Sequence, residues 1–245
     1  MKKALFNWSS GKDSALALYK IQQNPEFKID CLLTSVNQQF QRISMHGVRV
    51  ELLEQQAESI GIPLEIMQIP EMPTMEVYEN VMQKTLEKLK EKEITHSVFG
   101  DIYLEDLRKY REDKLATMGF EGVFPIWKIP TQDLIQEFIS LGFKTIVVCV
   151  NERYLDKSFV GRIIDQQFID DLPENVDVCG ENGEFHTFSF DGPIFQKPID
   201  FEIGEIVYRK YEKPAQDSSN TACDTDDTTA YDFGFWYCDL VPKNT

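Results

Sequence analysis

Apolar runs and helical periods alternate through the first half of the chain. Ala4 to Trp8 is a short apolar run, and Ser9-Ser10-Gly11-Lys12-Asp13-Ser14 separates it from a helical pattern carrying Leu16, Leu18, Tyr19 and Ile21. Asp30 to Val36 predicts a second strand. From about His46 to Ile60, apolar residues at Val50, Leu53, Ala57 and Ile60 keep the spacing of a helix buried on one face. Gly61 is a stop signal and Pro63 prevents continuation. Leu64 to Ile69 predicts a third strand, followed by a charged helix from Thr74 to Lys92. Ser97 to Gly100 predicts a fourth strand, Leu104 to Met118 a helix, and Val123 to Trp127 a fifth strand. This alternation predicts α/β architecture with parallel strands and right-handed crossovers, in the expected order 3-2-1-4-5.

Beyond Pro125 and Pro130 the rhythm changes, which puts a domain boundary near residue 128. A helix near Thr131 to Leu141 leads into Phe143 to Val150, the most apolar strand of the chain. Asp165 to Leu172 and three separated strands follow: Phe185 to Phe190, Glu205 to Tyr211 and Phe233 to Leu240. Residues 129–245 therefore read as a smaller mixed α+β domain behind a first domain of residues 1–128. The polar stretch 214–229 reads as a flexible loop. The aromatic run Phe233 to Cys238 reads as a core strand, with a self-association patch giving a homo-oligomer as the alternative.

Charge narrows the partners. The 245 residues carry 25 Lys and Arg against 41 Asp and Glu, a formal charge of −16. Such a field repels polyphosphate, so neither nonspecific nucleic-acid nor anionic-membrane binding is expected, and any phosphate site must be local. No apolar run approaches the roughly 20 residues needed to span a bilayer, and the first residues do not read as a signal peptide. Five widely spaced cysteines without a C-x-x-C pair read as reduced, mostly buried thiols, so a cytoplasmic location is expected.

The segment Ser9 to Ser14 sits where a strand meets a helix. Small residues admit close backbone approach, and a helix start offers unpaired N–H groups and the positive dipole end. Lys12 and three serine hydroxyls add donors at the same point. Asp13 is acidic where phosphate would sit, so it either caps the helix or supports Mg²⁺. The spacing is not that of a Walker A loop. A plain capped helix start with one glycine is the bland alternative.

Two further segments carry chemistry. Gly100-Asp101 follows the fourth strand, and Arg108, Lys109, Arg111 and Lys114 form a basic cluster just beyond it. In the expected order the first and fourth strands are neighbours, so their ends flank the switch point where ligands bind. The alternative is a solvated helix face, with Arg108 paired to Glu105. Cys179-Gly180-Glu181-Asn182-Gly183-Glu184-Phe185-His186-Thr187-Phe188 is a glycine turn entering a strand. Strand alternation puts Glu184 and His186 on one face, where they could serve proton transfer, metal binding or amine positioning. A hydrogen-bonded structural histidine is the plainer alternative. His46 and His96 carry weaker signals, and no histidine-rich metal pattern is present.

The Ser9 to Ser14 block resembles the PP-loop of the adenine-nucleotide α-hydrolase-like superfamily, usually S-G-G-x-D-S, with Ser10 in place of its first glycine. Four ordered blocks are similar to the diphthine–ammonia ligase family over roughly residues 1 to 211. These are SSGKDS, MHGVR at Met45 to Arg49, GDIYLEDLRKYRE at Gly100 to Glu112 and CGENGEFHTF at Cys179 to Phe188. The family motif G-E-G-G-E-[FY]-E-T differs at Asn182 and His186, which bears on the acceptor and not on the nucleotide.

The resemblance implies a Rossmann-like (HUP-type) five-stranded sheet and an AMP-forming ligase. Such an enzyme uses ATP and Mg²⁺ to adenylate a carboxylate, which ammonia or an amine then attacks. Ser9, Ser10, Gly11, Lys12, Asp13, Ser14, Gly100, Asp101, Arg108 and Arg111 are the expected nucleotide contacts. Asp13 and Asp101 are the expected metal supports. Lys12, Asp13, Glu181, Glu184 and His186 are the expected catalytic residues. A non-enzymatic adenine-nucleotide-binding module is the alternative. An RNA sulfur-transfer protein would need reactive cysteine pairs and a basic surface, which the sequence lacks.

Overall fold

The computed structural model describes residues 1–44, 46–70, 73–210 and 234–243. Its first half runs β1 (Lys2–Asn7), α1 (Lys12–Gln22), β2 (Phe27–Asn37), β3 (Arg42–Ile43), α2 (Val50–Ile60), β4 (Leu64–Ile69), α3 (Met75–Lys90), β5 (His96–Val98), α4 (Glu105–Thr117) and β6 (Glu121–Val123). Its second half runs α5 (Thr131–Ser140), β7 (Lys144–Asn151), α6 (Gln166–Asp170), β8 (Phe185–Asp191), β9 (Phe201–Lys210) and β10 (Gly234–Pro242).

Five parallel strands pair in the order β4-β2-β1-β5-β6, which is 3-2-1-4-5 in the counting used above. The two-residue β3 adds an antiparallel pairing at Val36 and Asn37 of β2, too short to have left a sequence signal. The second sheet is antiparallel, in the order β8-β7-β10-β9.

Successive strand residues face opposite sides, so one sheet feeds two cores. Ala4, Phe6 and Leu32 enter a core shared with α1, α2 and the second sheet. Leu5, Cys31 and Leu33 enter a separate core with Leu86 and Leu89 of α3 and Leu115 of α4. Both faces are covered at the centre of β1, which is why Ala4, Leu5 and Phe6 are consecutive apolar residues.

Several boundaries differ from expectation for local reasons. Helix α2 begins at Val50, because Gly47 takes a left-handed φ of 69° and keeps His46 outside the helix. The last parallel strand stops at Val123, ahead of Pro125, which has no N–H to donate to a ladder. Strand β9 begins at Phe201 rather than Glu205. Gly204 interrupts its pattern, and a Cβ there would come within 3.2 Å of Val241. The polar stretch 214–229, Cys223, Phe233 and Met45 of the MHGVR block lie outside the described residues. From Gly234 onward, β10 occupies an interior position of the second sheet, as the core-strand reading expects.

The four described cysteines, Cys31, Cys149, Cys179 and Cys238, are buried and unbridged. Burial pushes their thiols up to about 11 or 12, which leaves them unreactive at neutral pH. Among the described residues no helix is long and apolar enough to cross a membrane.

Candidate functional site

The Ser9–Ser14 loop joins β1 to α1 at the C-terminal end of the parallel sheet. Gly11 is the N-cap of α1 and has no side chain to cap the helix; the first N–H, that of Lys12, is taken by Thr187 Oγ1. Asp13 lies in the first turn and pairs with Lys12 Nζ at 2.6 Å, so the capping alternative does not hold. Lys12 is 3% exposed and also donates to the Cys179 carbonyl oxygen. Burial disfavours its ammonium, but the adjacent Asp13 carboxylate more than offsets this and raises the pKa. Ser10 is fully buried with φ of 72°, the left-handed backbone that a glycine adopts at lower cost. The serine keeps the glycine's loop shape.

Gly100 explains how the two strand ends meet. A Cβ there would lie 3.0 Å from Ser14 N and 3.1 Å from the Asp13 carbonyl group, so only glycine lets β5 run on so close to α1. Asp101 beyond it forms an ion pair with Arg111 at 2.9 Å. Burial raises the Asp101 carboxyl, Arg111 opposes this, and Asp13 adds to the rise.

The Cys179–Thr187 segment closes the third side. Glu181 Oε1 accepts from Ile102 N at 2.9 Å and from Tyr103 N at 3.4 Å. Thr187 Oγ1 accepts from Lys12 N at 3.0 Å. Loop, Gly100–Asp101 and turn line one cavity of about 480 Å³, with Lys12, Asp101, Arg111, Glu181, His46 and His186 on its walls. Burial and the charge of Asp13 push the Glu181 carboxyl up to about 7. His46 and His186 lie side by side, ring centroids 4.9 Å apart. Burial lowers His46 to about 4, and burial together with His46 and Lys12 lowers His186 to about 3. Both imidazoles are neutral at physiological pH. His46 Nδ1 lies 3.0 Å from the Thr187 carbonyl oxygen, so Nδ1 carries the proton and Nε2 the lone pair.

Residues 1–120 match the model of the diphthamide synthase N-terminal domain, and residues 130–214 match that of the C-terminal domain. The chain belongs to the diphthamide synthase family. It is 30% identical over 132 residues to the diphthine–ammonia ligase of Bos taurus, covering 51% of this chain and 49% of that protein. The Homo sapiens diphthine–ammonia ligase is 29% identical over the same shares. The chain thus spans about half the length of the curated relatives it matches. Among solved structures, the U34-tRNA thiolase NcsA from Methanococcus maripaludis is 18% identical, with a TM-score of 0.36 over 58% of this chain and 57% of that one.

Within this family member, not every expected residue reaches the cavity. Arg111 lines it, but Arg108 does not. Arg108 pairs with Glu112 at 2.8 Å, not with Glu105, and its guanidinium lies 4.6 Å from the Phe124 ring centroid and 4.7 Å from that of Trp127. Glu184 is absent from the walls and does not share His186's position. Strand β8 begins only at Phe185, after Gly183 at φ 82°, so alternation does not extend back to Glu184. Its oxygens accept from Asp177 N, Asn182 N and Asn182 Nδ2, which makes it the organiser of the turn.

Sequence singles out neither Thr187 nor Gln56 and marks His46 only weakly; Gln56 lies off the cavity walls and donates to the Ser10 carbonyl oxygen. Thr187 lay inside a quoted block, and His46 lay in MHGVR. Gln56 had one signal, a polar side chain three positions after Leu53 on the buried stripe of α2.

Proposed function

We infer that this chain is an ATP-dependent ligase that forms AMP and pyrophosphate while joining a carboxylate to ammonia or another amine. One observation carries the reading: the Ser9–Ser14 loop, Gly100–Asp101 and the Glu181–Thr187 turn share one cavity, in a chain that both diphthamide synthase domain models match. The gap between those matches supports dividing the chain into a nucleotide unit, 1–128, and an acceptor-side unit, 129–245. Four unbridged, buried thiols support a cytoplasmic location.

In this reading the first turn of α1 beyond the Lys12 N–H held by Thr187, together with the Lys12 ammonium, receives the phosphates of ATP, with Arg111 across the cavity as a second cation. Asp13 and Asp101 suit a divalent cation held otherwise by phosphate oxygens and water. Asp101 Oδ2 is buried and faces Arg111 Nε at 2.9 Å, so a cation there would share this carboxylate with Arg111. Bound Mg²⁺ would neutralise phosphate charge.

The acceptor carboxylate attacks the α-phosphorus and expels pyrophosphate, whose growing charge Lys12 stabilises. The amine then attacks the acyl carbon, and AMP leaves. Glu181, poised near 7, takes the proton that the amine sheds. The neutral imidazoles of His46 and His186 offer lone pairs that orient the amine. Glu184 acts indirectly by shaping the turn that places Glu181.

Purified protein incubated with Mg²⁺ and α-labelled ATP, with and without ammonium and a cell-metabolite pool, tests this. AMP and pyrophosphate that rise with the pool and vanish in Lys12→Ala are expected. ATP binding without AMP would turn the reading to a nucleotide-binding module, and ADP would overturn the loop chemistry.

A further inference from the structure

Gln56 is an amide in an apolar place. It is fully buried on α2 among Leu52, Leu53 and Ala57. Burying an amide is costly unless every polar atom finds a partner, and a leucine would fill this stripe without that requirement. Here the requirement is met in full. Gln56 Oε1 accepts from Trp8 Nε1 at 2.9 Å, and Nε2 donates to Ser10 O at 3.2 Å and to Ser189 O at 2.6 Å. The same Ser10 oxygen accepts from Ser189 N at 2.9 Å.

These bonds converge on the strained residue of the phosphate loop. Ser10 holds φ of 72°, a left-handed backbone that a non-glycine residue adopts only at a cost. Two donors fix its carbonyl toward α2 and β8. Because the peptide is planar and trans, the Gly11 N–H on its other side points the opposite way. That N–H reaches Ser9 Oγ at 3.4 Å, a long bond that a phosphate oxygen would outcompete, and Ser9 lines the cavity.

We propose that Gln56 is a positioning residue for phosphate binding: its amide locks the Ser10 peptide in the orientation that presents the Gly11 N–H and the start of α1 to the phosphates of ATP. Because Nε2 also holds Ser189 of β8, the loop takes this shape only with the second sheet seated against it. This rests on the nucleotide reading above.

The test measures the Kd of Mg·ATP, inorganic pyrophosphate and adenosine for the parent protein, Gln56→Leu and Lys12→Ala, with thermal melts alongside. Gln56→Leu is expected to weaken ATP and pyrophosphate roughly tenfold or more, the scale of one buried hydrogen-bonding group left unpaired, and to leave adenosine within about twofold. Adding Ser10→Gly to Gln56→Leu should recover binding by a larger factor than Ser10→Gly changes the parent, since glycine takes the left-handed backbone without help. Should Gln56→Leu fail to fold, Trp8→Phe removes the donor that orients the amide, along with part of a buried ring, and should weaken pyrophosphate about threefold. A lowered Tm with unchanged affinities would make Gln56 merely structural and overturn the proposal. Equal weakening of adenosine would do the same. A parent that binds neither ATP nor pyrophosphate, or a Lys12→Ala protein that binds both normally, overturns the nucleotide reading and this proposal with it. Normal pyrophosphate binding in Gln56→Leu beside a defective Lys12→Ala removes Gln56 alone.

Discussion

Glu181 Oε1 accepts the Ile102 backbone N–H at 2.9 Å, so a carboxylate from the turn before β8 is seated on the segment that leads from Gly100–Asp101 into α4. The bond fixes Glu181 over the cavity, while burial and Asp13 raise its pKa to about 7. A base of that pKa gains its charge as pH rises through 7. In the proposed ligase reaction, with Glu181 as base, amide formation should therefore rise over the same interval and level off above it. Glu181→Gln keeps an acceptor for Ile102 but cannot take a proton. It should slow amine transfer about 10²-fold or more and erase the inflection near 7, with ATP binding retained. Rate–pH profiles of the two proteins decide this, and an unaltered inflection in Glu181→Gln would remove the base from this position.

The approach of Gly100 to α1 gives a second expectation. The atoms nearest a Cβ at Gly100 are Ser14 N and the Asp13 carbonyl group, all backbone and 3.0–3.1 Å away. Backbone in a first helical turn yields poorly, so Gly100→Ala must displace the Ser9–Ser14 loop or β5. A cost of about 1–3 kcal/mol in stability is expected, with a weaker Kd for ATP. Gly142→Ala serves as a control for glycine replacement, since no atom lies within 4 Å of its Cβ, although its own φ of 81° also carries strain. If both variants lose equal stability and neither loses ATP affinity, the close approach is not what positions the loop.

The parallel sheet was legible because its central strands are covered on both faces, so Ala4 to Phe6 and Cys31 to Leu33 read as apolar blocks between helical periods. The glycines were legible as markers, since Gly11, Gly100 and Gly183 each interrupt such a pattern. What sequence did not carry was orientation. Alternation carried back from Phe185 includes Glu184, whereas the strand begins only at Phe185 and leaves Glu184 in the turn. Arg108 and Arg111 looked equivalent on one helix, yet a three-residue offset sends the first onto Phe124 and Trp127 and the second into the cavity. Gln56 and Thr187 meet the loop from 46 and 175 residues away, a distance no local pattern encodes.

The histidine pair makes acid stability informative. His46 and His186 titrate at about 4 and 3 when folded, against about 6.5 when unfolded. Below pH 6.5 the unfolded chain binds protons that the folded one refuses. Each histidine thus removes stability as pH falls, at up to about 1.4 kcal/mol per pH unit, until its folded pKa is reached. Glu181 has the opposite sign. Its folded pKa is raised, so its contribution is lost as pH rises from about 4.5 to about 7. The two effects oppose each other between 4.5 and 6.5, and the histidines act unopposed below that. Denaturant titrations across pH 3.5–7.5 should show Glu181→Gln losing stability from about pH 6.5 downward, earlier than the parent. His186→Gln should have a shallower acid slope. Parallel curves for all three proteins would mean that the imidazoles are not held neutral.

Asp239 ties the two sheets together beside the segment that carries His46. Its carboxylate accepts from Arg42 Nη1 at 2.8 Å and from Arg49 Nη2 at 2.6 Å, so β10 grips both ends of the segment that carries His46. Burial alone would raise its pKa, but the hydrogen bonds from Arg49 and Arg42 hold it below the ordinary carboxylate value. A carboxyl lowered in this way stabilises the fold above its unfolded pKa and loses that contribution as pH falls through the folded one. The arginines are about one-third exposed, so solvent screening limits the worth of the pair to about 1 kcal/mol. Asp239→Asn should cost that much at pH 7, and the difference from the parent should shrink as the medium becomes acid enough to protonate Asp239. High salt should narrow the same gap at pH 7. The variant should also release the His46 segment, seen as faster amide exchange at Gly47 and Val48. A pH-independent deficit would assign the loss to packing at β10 instead of to the charge of Asp239.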